Sequence, residues 1–255
     1  MRLWLVGLLL CASTMAQAAT ADDIFALYAK GQYEQAAQAG EASHSAAGLA
    51  IAARAVLADE VLRDSPCLAC LQRAEKLARA AIAADPHQAF AHVWLAVALG
   101  YEARVIGMVK ARFRDFPAQS KAALNAAVAE DAKNAYAVSA LGGWHIEIVR
   151  GGGGMLARLL YGATESEALD MFDRAVWLAP GNVAVRYQVA LALAGFDPGK
   201  YRNRIVTELK AAVSDTAETA YEKKIQQRAQ ELLGLSAPTQ QEAFDALVRK
   251  YQGFP

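Results

Sequence analysis

The sequence predicts an all-α fold, a right-handed helical-repeat solenoid with extended insertions between the helices of its repeats. Three observations carry this. A spacing of small and apolar residues, A-x3-F-x2-A-x4-P in its fullest form, recurs along the chain. A large apolar residue followed by a small one returns nine and ten residues beyond the end of each of the first three copies. The copies also lie further apart than a plain pair of short helices requires, so extra chain sits inside the repeats.

Residues 1–18 read as a secretory signal peptide: Arg2, an apolar run from Leu3 to Ala12, then Ala16-Gln17-Ala18 as a cleavage site. The run of about 10 residues falls short of the roughly 20 that cross a bilayer. Leu10 stands where lipidation of Cys11 would want a small residue. Cleavage after Ala18 places the protein in the periplasm, with no transmembrane segment in the mature chain. The chain has 26 Lys and Arg against 26 Asp and Glu. Loss of Arg2 leaves the acids one ahead, which gives no basic field for nucleic acid. Cys11 leaves with the leader, so only Cys67 and Cys70 remain, and in an oxidising compartment the pair is expected to form a disulfide.

Residues 19–71 hold degenerate N-terminal helices: a pair from Asp22 to Ser43 around Gly31, Tyr33 and Ala36, then an Ala-rich helix from Ser45 to Arg63. Ser65 and Pro66 suit an N-cap and a first helical position, which puts Cys67 and Cys70 in the first turn of the next helix. Residues 72–217 carry the ruler. Ala74, Ala78, Ala81 and Pro86 match Ala168, Phe172, Ala175 and Pro180 in spacing. Weaker copies are Ser120, Leu124, Ala127 and Ala132, then Ile205, Leu209, Ala212 and Ala217. The large-small pairs Leu95-Ala96, Leu141-Gly142 and Val189-Ala190 follow, each letting two helices approach closely. Residues 218–255 read as capping helices, with alternating charge up to Leu233 and a Thr239-x-x-Glu242 capping box before Ala243 to Tyr251.

These patterns resemble the tetratricopeptide repeat, with L-G on one helix and A-x3-F…P on the next. The terminal positions 86, 132, 180 and 217 are 46, 48 and 37 residues apart, against the usual period of about 34. Two repeats therefore hold an insertion between their helices, YEARVIGMVKARFRDFPAQ and IEIVRGGGGMLARLLYGATES. With LGGWHIEI and LYGATESEALDMFDRA, the long-period arrangement looks like the regulator-of-microtubule-dynamics family in its bacterial, exported form, over roughly residues 72 to 215. The resemblance implies a repeat scaffold without catalytic residues. Microtubule binding is not carried over, because a bacterial envelope offers no tubulin.

His145 and Glu147 are two apart and do not share a helix face, and His87 and His92 are five apart, so neither pair suits a metal. Gly151 to Gly154 lack the following Lys-Ser/Thr of a phosphate loop and break a helix instead. Met155, Leu156, Leu159 and Leu160 after them are expected as buried packing, with a lipid-contacting lid as the alternative. Helical phase places Phe90, Val93, Val97, Tyr101, Tyr136, Ser139, Gly143, Tyr187 and Leu191 toward the concave groove, where they form an apolar ligand site or an inter-repeat core. The expectation is a non-enzymatic, exported scaffold without cofactor or metal. It binds a protein or peptide partner of the cell envelope, or a hydrophobic ligand, through this groove. The alternatives are a thiol oxidoreductase using Cys67 and Cys70, and a carrier of lipid or another hydrophobic molecule with the Gly-flanked insertion as its lid.

Overall fold

The structure is a computed structural model and describes residues 19–63 and 65–253. The leader expected over residues 1–18, Cys11 included, lies outside the described residues. Among these there are thirteen α-helices and no strand. The first pair is α1 (Ala21–Ala29) and α2 (Tyr33–Ser43); α3 (Ala46–Val61) pairs with α4 (Leu68–Ala84). Next come α5 (Ala89–Ile106), a short α6 (Met108–Phe113) and α7 (Phe116–Glu130). They are followed by α8 (Ala135–Tyr161), α9 (Glu165–Leu178), α10 (Val183–Phe196) and α11 (Arg202–Ser214). The chain closes with α12 (Ala220–Gly234), a 3-10 turn over Pro238–Gln240 and α13 (Gln241–Tyr251).

The recurring ruler marks the second helix of each pair. Ala74, Ala78 and Ala81 on α4, Phe172 on α9 and Leu209 on α11 are all buried. Gly142 shows what the small residue of the large-small pair does. A Cβ there would sit 2.8 Å from the Phe172 ring and 3.0 Å from the Ala168 carbonyl, so α8 and α9 touch through the missing side chain. The Ala-rich α3, which the sequence left without a partner, packs on both α2 and α4. By length and composition α5 is apolar enough to cross a membrane. It is apolar because it is a core helix, packed on α3, α4 and α7.

The row of pairs bends until its ends meet. Helix α12 reaches α1, and the Arg228 guanidinium donates to the Val61 carbonyl at 2.9 Å and the Leu62 carbonyl at 2.8 Å. Gln252 donates to the Leu191 carbonyl at 3.1 Å and accepts from Arg104 at 2.8 Å through its own carbonyl. The C-terminal helices thus fill part of the concave face as well as capping the last repeat.

Several local expectations are corrected. Cys67, and not Ser65, is the N-cap of α4, and its Sγ accepts from the Cys70 N–H at 3.2 Å. Thr239 caps nothing, because Pro238 sets a 3-10 turn before α13. Capping boxes form instead at Thr20 with Asp23 and at Thr219 with Glu222. The glycine run breaks α8 at one residue, Gly153 (φ 71°). Met155, Leu156, Leu159 and Leu160 beyond the kink are exposed, contrary to the expected burial.

Candidate functional site

The first helices of the pairs wall a cavity of about 260 Å³ on the concave face, just below the 300–1,000 Å³ typical of small-molecule pockets. From α3 come Arg54, Leu57 and Val61; from α5, Val93, Val97 and Tyr101, which lie four residues apart and so share a face. Helix α8 adds Tyr136, Ser139, Gly143 and Trp144, and α10 adds Gln188 and Leu191. Tyr221 of α12 and Gln252 close the space from the C-terminal side.

Of the groove residues read from sequence, Val93, Val97, Tyr101, Tyr136, Ser139, Gly143 and Leu191 line this one cavity. Two do not. Tyr187, 1% exposed, belongs to the core between α10 and its neighbours, where burial holds its phenol well above the ordinary value. Phe90 sits beyond the lining on the surface and stacks on Trp94 at 6.1 Å. Both are in helical phase with lining residues, Phe90 with Val93 and Val97 and Tyr187 with Leu191, so phase alone does not separate the wall from the surface or the core.

Two glycines face the cavity from mid-helix, Gly100 on α5 and Gly143 on α8. A Cβ at either would meet nothing within 4 Å. Glycine inside a helix costs about 1 kcal/mol relative to alanine, and here no close packing explains it, in contrast to Gly142. What the two positions preserve is empty volume.

The sequence reading missed Arg54. Its guanidinium lies 4.3 Å from the Tyr28 ring centre, 5.4 Å from Trp94, and 5.5 Å from both Tyr136 and Phe25. It forms no ion pair among the described residues and sits among aromatic rings at the cavity wall, whereas Arg104 and Glu147, the other charged side chains of the lining, lie 3.6 Å apart and offset each other. The signal was present: a lone arginine inside AAGLAIAARAVLADEV. Trp94 and Trp144 were missed for a different reason, since a ruler built on small residues does not mark them. Trp144 donates to the Pro117 carbonyl at 2.9 Å, which ties the cavity wall to the start of α7.

The titratable pairs singled out in sequence are kept apart. His145 accepts from the Thr164 N–H at 3.2 Å through Nδ1 and is therefore the neutral Nε2–H tautomer. Burial lowers its pKa, with nearby Glu167 opposing. Glu147 turns away to Arg150 at 2.6 Å. His87 pairs with Glu130 at 2.9 Å, and His92 meets the Pro86 carbonyl at 2.8 Å. Outside the cavity, Glu102 is buried with both oxygens unpartnered; burial, then neighbouring Glu75, raises its pKa to about 7.

Cys67 and Cys70 lie at the start of α4 with Cα atoms 5.2 Å apart. A Glu60 oxygen accepts from the Cys67 N–H at 2.6 Å. That carboxylate and the two sulfurs lie within 4.8 Å of one another, three donors that the sequence spacing alone did not bring together.

The family described as Regulator of microtubule dynamics protein 1-3 matches the chain over residues 15–236. The match extends past both ends of the stretch that carries the sequence motifs, taking in α1 to α3 and all of α12. No curated protein matches the chain.

Proposed function

The chain belongs to the regulator-of-microtubule-dynamics family, and from that premise we propose that it is a non-enzymatic binder of one apolar or amphiphilic ligand, held in the concave cavity. The pair Gly100 and Gly143 carries the reading, since both lack a side chain where only open cavity would receive it. Apolar walls from four helices would take the body of the ligand, and Arg54 would meet a polar or anionic end. An extended peptide, or a protein partner of the cell envelope, is supported less, because Tyr221 and Gln252 already occupy part of the concave face. Export through residues 1–18 and a periplasmic location belong to the same proposal. N-terminal sequencing that starts at Ala19 would support them, and a start at Met1 would remove them.

Cys67 and Cys70 are proposed to form a disulfide that fixes the start of α4. Their Cα separation of 5.2 Å suits a disulfide. The thiol oxidoreductase alternative is disfavoured by Glu60, because a redox pair depends on a stabilised thiolate and a buried carboxylate beside it works the other way. Thiol counting on unreduced protein should find no free cysteine.

Solvent extraction of protein purified natively, followed by mass spectrometry, tests the main reading. A near-stoichiometric apolar or amphiphilic molecule is expected. An empty extract, together with no uptake of added long-chain amphiphiles, refutes it.

A further inference from the structure

Among the described residues ten large hydrophobic side chains are exposed, and seven of them stand on the two insertions. On α6 they are Met108, Val109 and Phe113, the last 89% exposed. Beyond the Gly153 kink they are Met155, Leu156, Leu159 and Leu160, with Met155 at 85% and Leu159 at 77%. On α6 and on the stretch from Gly153 to Tyr161 the one buried residue is small, Ala111 and Ala157 respectively, both 1% exposed. This inverts ordinary packing, in which the large side chains turn inward. The two insertions also adjoin, since a Cβ on Gly151 would lie 3.2 Å from the Met108 methyl group. The far end of the second is fastened by Lys121, which donates to the Tyr161 carbonyl at 2.5 Å.

Charge singles out what covers such a face. Lys110, Arg112, Arg114 and Arg158 are exposed over residues 107–115 and 153–161, against one acid there, Asp115, in a chain whose formal charge is zero. None of the four cations makes an ion pair among the described residues. Apolar side chains interleaved with cations are the composition of a segment that lies in the interface of an anionic bilayer. A protein partner would be matched by mixed charge, and a second copy would bring the same cations against each other. Met108 in addition lines the cavity, so the patch borders its entrance.

We propose that the α6 insertion and the segment after Gly153 form one docking surface for an anionic lipid bilayer. The cavity entrance then faces the membrane, so that an apolar ligand moves between bilayer and cavity without crossing water; this second step rests on the cavity reading above.

The test is flotation with vesicles of phosphatidylcholine alone and of phosphatidylcholine with a third phosphatidylglycerol, using a chain from Ala19, which carries every helix described here. Binding to the anionic vesicles should be at least tenfold stronger and should weaken with salt. Phe113→Ser with Leu159→Ser should reduce it at least tenfold, and Lys110→Glu with Arg158→Glu likewise. All four residues are exposed, so circular dichroism should be unchanged. Equal binding by parent and variants overturns the proposal, as does no binding by the parent. A parent that dimerises, and becomes monomeric with Phe113→Ser, overturns it in favour of a second copy. Uptake of a soluble amphiphile by the serine variants separates the readings: if it persists while flotation is lost, the cavity and the docking surface are distinct, and if parent and variants both lack it while flotation is intact, only the cavity reading fails.

Discussion

Arg228 and Val61 are 167 residues apart in sequence, and the guanidinium of the one donates to the carbonyl of the other at 2.9 Å. This contact joins the last helix pair to the C-terminal end of α3 and turns an open row of repeats into an enclosure. The Tyr251 ring centre lies 4.5 Å from the same guanidinium. Arg228→Ala leaves two carbonyls without their charged donor, and is expected to destabilise the protein by about 2–3 kcal/mol. Denaturant midpoints should report that loss, together with weaker ligand retention. An unchanged midpoint would mean that closure is not maintained by this residue.

Gly142 and Gly143 are neighbours with opposite prospects. Gly142→Val drives a side chain into Phe172 and the Ala168 carbonyl and should cost about 1–3 kcal/mol as overpacking. Gly143→Ala meets nothing and should stabilise by about 1 kcal/mol through helix propensity alone. Thermal melts of the two single variants should shift in opposite directions.

Tyr136 and Tyr187 look equivalent in sequence and differ in the fold. Tyr187→Ala empties a fully enclosed core site and should cost about 3–5 kcal/mol. Tyr136→Ala removes a half-buried cavity wall, with its hydroxyl bonded to Asn182 at 3.2 Å. It should cost clearly less while weakening ligand binding. Equal losses for both would place Tyr136 in the core as well.

The repeat ruler was legible because it is a packing rule. Ala74, Ala78 and Ala81 must be small wherever α4 meets its neighbours, whatever the protein binds. The cavity was legible only in part, since helical phase found Val93, Val97 and Tyr101 but could not say how far the concave face fills. That depends on Tyr221 and Gln252, which lie far along the chain and follow no repeat. The insertions were misread for a related reason. Apolar residues at helical spacing predict burial, and nothing in MLARLLYG announces that Ala157 alone would face inward.

Glu102 gives a pH signature. Its folded pKa of about 7 stands above the unfolded value near 4.5, so the folded state holds the proton longer. Its destabilisation is therefore absent below about pH 4.5, grows as pH rises and is complete above about pH 7. The full effect is about 3 kcal/mol at 1.36 kcal/mol per pKa unit. Glu102→Gln should stabilise the protein at pH 8 far more than at pH 5. A variant effect independent of pH would show that Glu102 is ionised throughout.

Filling the cavity tests the account most directly. Gly100→Leu with Gly143→Leu places two side chains into the empty volume without touching the packed faces of α5 or α8. Titration with a long-chain amphiphile, followed by quenching of Trp94 and Trp144, should give saturable binding to the parent. In the filled variant, affinity should fall at least tenfold while the melting temperature holds or rises. Undiminished binding to a folded, filled variant would contradict the claim that the concave cavity is the ligand site.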